Sequence, residues 1–191
     1  MKLTGLEALV TRDAALEEAA FRMAQRASGT VVVPPGVRAP LLADAVSRPD
    51  MSTLVLLTAT GRDAEAAANS LRAWVEGVEV FPAWETLPHE RLSPQTDTMA
   101  RRIAVLRRLA HPVLGDPQAG PLRVLVVPVR AWLQPVIHGL GDLEPVRVRA
   151  RDVVVLPELV TRLVALGYER VDMVESRGQV AVRGGILDVF P

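Results

Sequence analysis

Four short apolar runs constrain this chain more than any other feature: Thr30–Val33, Thr53–Thr58, Val78–Phe81 and Leu122–Val127. All are rich in β-branched or aliphatic residues. They alternate with segments whose apolar residues recur at helical spacing. These are Ala39–Val46, the alanine-rich stretch opened by Gly61-Arg62-Asp63 and running to about Val75, and Thr96–Leu109. Strand, helix, strand, helix implies an α/β fold, a parallel sheet with helices on its faces. Thr53–Thr58 reads as a buried strand and Leu122–Val127 as the most hydrophobic one. Aromatic residues make up only 4% of the chain, so its core must be built of Val, Leu and Ala.

The rest of the chain punctuates this frame. Residues 6–26 carry Leu6, Leu9, Val10, Ala14, Ala15, Phe21 and Met23 at helical spacing and read as one or two helices. Pro34-Pro35-Gly36 forces a loop, Pro82–Pro94 is irregular, and His111–Pro121 reads as a surface loop. Ala131–Val136 reads as a short helix. The Gly139-Leu140-Gly141-Asp142 run is the best boundary, dividing the chain into domains 1–138 and 139–191. Beyond it, Val146–Arg149 alternates like a half-exposed strand, and Val155–Leu166 is helical. Two alternating strands, Val180–Arg183 and Ile186–Phe190, meet at Gly184-Gly185, the mark of a tight β-turn or bulge.

Charge and composition exclude several function classes. The formal net charge is zero, 22 basic against 22 acidic residues, which argues against a free-standing nucleic-acid binder. There is no cysteine, so disulfides and thiolate metal sites are excluded. The first residues are acidic and lack the apolar stretch of a secretory signal. No run approaches the roughly 18 apolar residues of a membrane span. A cytoplasmic location and no membrane partner are expected.

Nucleotide hydrolysis is the chemistry such a layout invites. A P-loop needs glycines whose N–H groups cradle phosphate, a lysine for the β and γ phosphates, and a Ser or Thr for magnesium. The matching segment, TVVVPPGVRAPLLADAV, offers two prolines, Arg38 and Ala39 instead, and the sole lysine is Lys2. Neither Thr53–Thr58 nor Leu122–Val127 runs into a carboxylate that could hold magnesium. No catalytic residue, cofactor or metal ligand is therefore expected. His89, His111 and His138 lack metal-ligand spacing and read as ordinary loop or helix-end histidines. Arg101, Arg102, Arg107 and Arg108 of Thr96–Leu109 read as a solvated helix face. Trp84 and Leu87 read as anchors of a packed loop, with a contact surface as the other reading.

The last stretch, LGYERVDMVESRGQVAVRGGILDVFP, concentrates Glu169, Arg170, Asp172, Arg177 and Arg183 on or beside a small sheet. Arginine is enriched at interface hot spots because its planar fork pairs well with carboxylates. The same arginines could instead pair with local acids and keep the sheet soluble. Residue chemistry alone favours this second reading, because surface ion pairs are common and weak.

LTATGRD, WETLPHERLSP, GYERVDM and VRGGILDVFP resemble the N-terminal module of the bacterial transcription-repair coupling factors, itself similar to part of the excision-repair protein UvrB. The resemblance implies a degenerate RecA-like, P-loop-type domain over 1–138, followed by the start of a smaller α/β insertion domain over 139–191. It implies UvrA as the partner, with Arg170 at a family contact position and Arg183, beside the glycine turn, a less direct extension of it. Glu169, Asp172 and Arg177 would complete a charged rim. The strand-separating hairpin of UvrB has no counterpart between Phe81 and Thr96. ATP and magnesium, RNA polymerase and DNA would belong to other domains of a parent translocase. Two alternatives stay open: a module that masks the parent by packing against another domain, and an active UvrB- or helicase-class ATPase. The resemblance also implies a fragment, with a further strand beyond Pro191 and a sticky edge at Ile186–Phe190.

Overall fold

The structure, a computed structural model, describes residues 12–49, 51–86 and 93–191. It is mixed α/β, with a parallel three-stranded sheet and a second, smaller sheet. Helices α1 (Ala14–Ala24) and α2 (Pro35–Ser47) precede strand β1 (Leu54–Thr58). Helix α3 (Gly61–Arg72), strand β2 (Val78–Val80), helix α4 (Thr96–Ala110) and strand β3 (Val124–Pro128) follow. The strand order is β1-β3-β2, with Leu54 beside Val124 and Val78 beside Val124. The most hydrophobic strand takes the centre, where both faces are dry.

One face of the sheet is closed by α2 and α3: Val46, Ala64, Ala68 and Leu71 pack on Val78, Val80, Val124 and Val126. The alanines of α3 let the helix approach a sheet of small aliphatics. Thr60 caps α3, its Oγ1 accepting from Asp63 N–H at 3.1 Å and donating to Asp63 Oδ2 at 2.7 Å. On the other face Val105 of α4 packs with Phe81, Leu125 and Val127. Helix α1 lies on α2 through Ala20, Leu41 and Ala45.

Several expectations need correction. Thr30–Val33 is not a strand, and Val32 is 92% exposed. The prolines after it begin α2 instead of forcing a loop: Pro35 sits in the first turn, where its missing N–H costs nothing. Thr53–Thr58 is only half buried, because Val55 and Leu57 on its second face meet no covering helix among the described residues. The helix expected at Ala131–Val136 is a single turn, α5 (Val129–Trp132). Val146–Arg149 forms no strand. Leu6, Leu9, Val10, Leu87 and His89 lie outside the described residues.

The largest correction concerns α4. Its buried stripe is Thr98, Arg102, Val105 and Arg108, so two of the four arginines face inward. Arg102 is 1% exposed. Its guanidinium lies between two rings, 4.0 Å from the Phe81 centroid and 4.2 Å from that of Trp84. Its Nη1 donates to Pro82 O at 2.7 Å, and its Nε has no acceptor among the described residues. The two ring faces therefore offset much of the cost of burying the charge. Burial still draws the guanidinium below its ordinary pKa.

Trp84 anchors its loop, as the sequence suggests: its ring stacks on Arg102 and its backbone N–H donates to Gln134 Oε1 at 2.8 Å. Thr98 hydrogen-bonds the next residue, Glu85. Burial would raise the Glu85 carboxyl, but the Thr98 hydroxyl and backbone N–H groups hold it below its usual value. Arg108, also buried, donates to Gly120 O at 2.8 Å and pairs with Glu79 at 2.7 Å.

Arg102→Ala should cost about 3 kcal/mol of unfolding free energy, because it empties a ring-lined slot and removes a cation–π sandwich. Arg101→Ala should cost about 1 kcal/mol or less, since Arg101 only pairs with Glu65 at the surface. Urea denaturation of the two variants checks the contrast; equal losses would contradict it.

Candidate functional site

The last part of the chain folds around helix α6 (Leu156–Ala165), which begins beside Pro157 and ends at Gly167, a residue with φ 94°. Strands β4 (Glu169–Arg170), β5 (Gln179–Arg183) and β6 (Ile186–Phe190) form a sheet in that order. β4 runs parallel to β5, and β5 and β6 are an antiparallel hairpin whose turn includes Gly184 at φ 61°. Leu159 and Leu163 of α6 pack on Val180, with Val146, Tyr168, Leu187 and Val189 around them.

Register sorts the side chains. Val180, Leu187 and Val189 face α6, so the alternate residues Gln179, Ala181, Arg183, Ile186, Asp188 and Phe190 take the other face, where Ala181 is fully buried. Glu169 lies beside Gln179 and belongs with that face. Arg170 lies beside Val180, on the α6 side of the edge strand. The two arginines singled out from sequence thus stand on different sides of the sheet, Arg170 on an edge strand and Arg183 at the end of the central one.

Their electrostatic states differ as well. Arg183 pairs across the hairpin with Asp188 at 2.7 Å, both side chains well exposed. Arg177 pairs through Nε with Asp97 Oδ1, at 3.2 Å, in the first turn of α4, and its guanidinium lies 5.7 Å from the Phe190 centroid. Among the described residues, Glu169, Arg170 and Asp172 enter no ion pair, and all three are exposed. Gln179 shapes the loop between β4 and β5: its Oε1 accepts from the N–H groups of Glu175 at 2.9 Å and Ser176 at 3.0 Å.

Sequence reasoning missed Ile186, Asp188 and Phe190 as members of this surface. Ile186 is 63% and Phe190 41% exposed. The signal was present: a two-residue turn sets Arg183 opposite Ile186, and alternation then carries Asp188 and Phe190 to the same face. The result is a face of arginine, aliphatic and aromatic groups, suited to protein contact. A cavity of about 640 Å³ opens at the start of β2 and β3. Its Arg72 and Arg108 already meet Glu79, at 3.7 and 2.7 Å. His111, at the end of α4, pairs with Asp142 at 2.6 Å.

Residues 146–191, α6 and all three strands included, match the family model of the UvrB interaction domain. The chain is also similar to transcription-repair-coupling factors. That of Mycobacterium tuberculosis (strain CDC 1551 / Oshkosh) is 47% identical over 176 residues, 88% of this chain and 14% of that protein. That of Bacillus subtilis (strain 168) is 30% identical over 145 residues, 72% of this chain and 11% of that protein. That of Escherichia coli (strain K12) is 35% identical over 114 residues, 56% of this chain and 9% of that protein. The chain therefore spans only a small part of the length of these curated relatives.

The sheet should owe its stability to α6 and not to its surface ion pair. Leu163→Ala should cost about 3 kcal/mol. Asp188→Ala, which breaks an exposed pair, should cost about 1 kcal/mol or less. Thermal and urea melts of both variants check this; a larger loss for Asp188→Ala would contradict it.

Proposed function

The chain belongs to the transcription-repair-coupling factor family, and we propose that it is a non-catalytic module that recruits UvrA to lesion-stalled RNA polymerase in nucleotide excision repair. The observation that carries this reading is the coincidence of two things on one element. The UvrB interaction domain matches residues 146–191, and those residues form a partly exposed sheet with Arg183, Ile186 and Phe190 on one face and Arg170 on the α6 side of its edge strand. Such a surface binds by carboxylate pairing at the rim and apolar burial at its centre, with no bond-making step.

In this reading residues 1–138 are a degenerate RecA-like scaffold, supported by the parallel β1-β3-β2 order, and residues 139–191 are the docking domain. Arg170 and Arg183 are the anchors, with Glu169, Asp172 and Arg177 as the rim. The scaffold takes no cofactor of its own. ATP, magnesium, DNA and RNA polymerase belong to other parts of a full-length translocase. A second reading has the same sheet pack against another domain of the parent and mask it. It is favoured by the internal pairing of Arg177 and Arg183, which shows that these cations accept carboxylates from their own chain.

Arg170→Glu with Arg183→Glu should weaken UvrA binding at least tenfold in calorimetry, about 1.4 kcal/mol, with circular dichroism unchanged. Binding equal to wild type would contradict the recruitment reading. In the full-length protein, Arg170→Glu that raised motor activity while sparing UvrA binding would favour masking.

A further inference from the structure

Helix α4 touches the docking domain at both ends. Near its C-terminal end it meets the Leu140–Asp142 turn: a Cβ on Gly141 would stand 2.9 Å from Leu106 O, and Arg107 donates to Asp142 O at 3.4 Å. At its N-terminal end two separate contacts reach the sheet. Asp97 holds Arg177 at 3.2 Å. Thr96 lies so near the bend before β5 that a Cβ on Gly178 would stand 2.9 Å from its Cγ2.

The second contact is steric and the first electrostatic, and they fall on adjacent residues of both elements. Gly178 has φ 85° and its N–H donates to Phe190 O at 2.7 Å. The glycine thus serves the sheet's own turn while letting the helix approach. Arg177 in turn lies over Phe190, so the pair with Asp97 also sets how this aromatic ring is presented.

We propose that Asp97 and Arg177, seated by the Thr96–Gly178 contact, form a latch that fixes the docking sheet on α4, and that a partner must open it to take Arg177. The occupant it competes with is a carboxylate on the partner protein, the chemistry that Asp97 supplies in the free chain. This rests on the recruitment reading for the partner but not for the latch itself. The pair is weak enough to be exchanged: both side chains are more than a third exposed, 38% for Arg177 and 57% for Asp97. A strong, buried pair would lock the sheet instead of regulating it. Releasing it removes the charged contact at this end and leaves the Thr96–Gly178 approach and the Leu140–Asp142 turn.

The chain has no cysteine, so Ala66→Cys on α3 and Ala165→Cys on α6 give two unique spin-label sites on exposed positions. Double electron–electron resonance should report one narrow distance, and Asp97→Ala should broaden it. Asp97→Ala should also tighten binding of UvrA by about two- to fivefold, the exchange value of an exposed pair. Arg177→Ala should broaden the distance equally and weaken UvrA binding. An unchanged distance distribution in both variants overturns the latch. Binding unchanged or weakened by Asp97→Ala overturns the competition. If the wild type itself bound no UvrA, the recruitment reading would fail while the distances still decided the latch.

Discussion

The guanidinium of Arg102, held between Phe81 and Trp84, is the contact on which the rest of this molecule depends. It joins three elements at one point: the end of β2, the loop that follows it, and α4. With α4 fixed against the sheet by this clamp and by Val105, its two ends are presented at set positions. One end receives the Leu140–Asp142 turn and the other receives the bend before β5. The placement of the small sheet therefore leans on a buried cation. Few charges are buried without a carboxylate partner, and here two aromatic faces and one carbonyl take that place.

Much of the fold was legible in the sequence. The Val-Leu-Val-Val run of β3 demands a central position because both alternating faces are apolar, and it has one. Gly61-Arg62-Asp63 announces the start of α3, and Gly184-Gly185 announces the hairpin. The misses share a cause. Arg102 and Arg108 occupy positions of the α4 stripe that periodicity would give to apolar residues, and a polarity pattern marks them as solvated. Only the ring geometry of residues distant in sequence shows otherwise. Thr30–Val33 has strand propensity but no partner strand among the described residues, and propensity without pairing yields no strand. The two residues of β4 are too few to leave a periodic signal.

The docking surface was legible in kind more than in arrangement. The charged residues were visible, as was the hairpin, but not their electrostatic states. Arg183 and Arg177 are each engaged by an acid from their own chain, whereas Arg170 stands unpaired among the described residues. In the proposed docking, a partner would meet one ready cation at the edge strand and two that must exchange carboxylates. Exchange of one exposed pair for another costs little, which allows binding to be specific without demanding a pre-emptied surface. The apolar residues Ile186 and Phe190 then supply burial that the free chain leaves unused.

Hydrogen–deuterium exchange of the chain with and without UvrA tests the central claim most directly, because it locates the contact without altering any residue. Slowed exchange over Glu169–Phe190, with the C-terminal ends of β1 and β3 unchanged, is the predicted result. Protection confined to the parallel sheet, or no protection in a complex shown to form, would contradict a docking role for the small sheet.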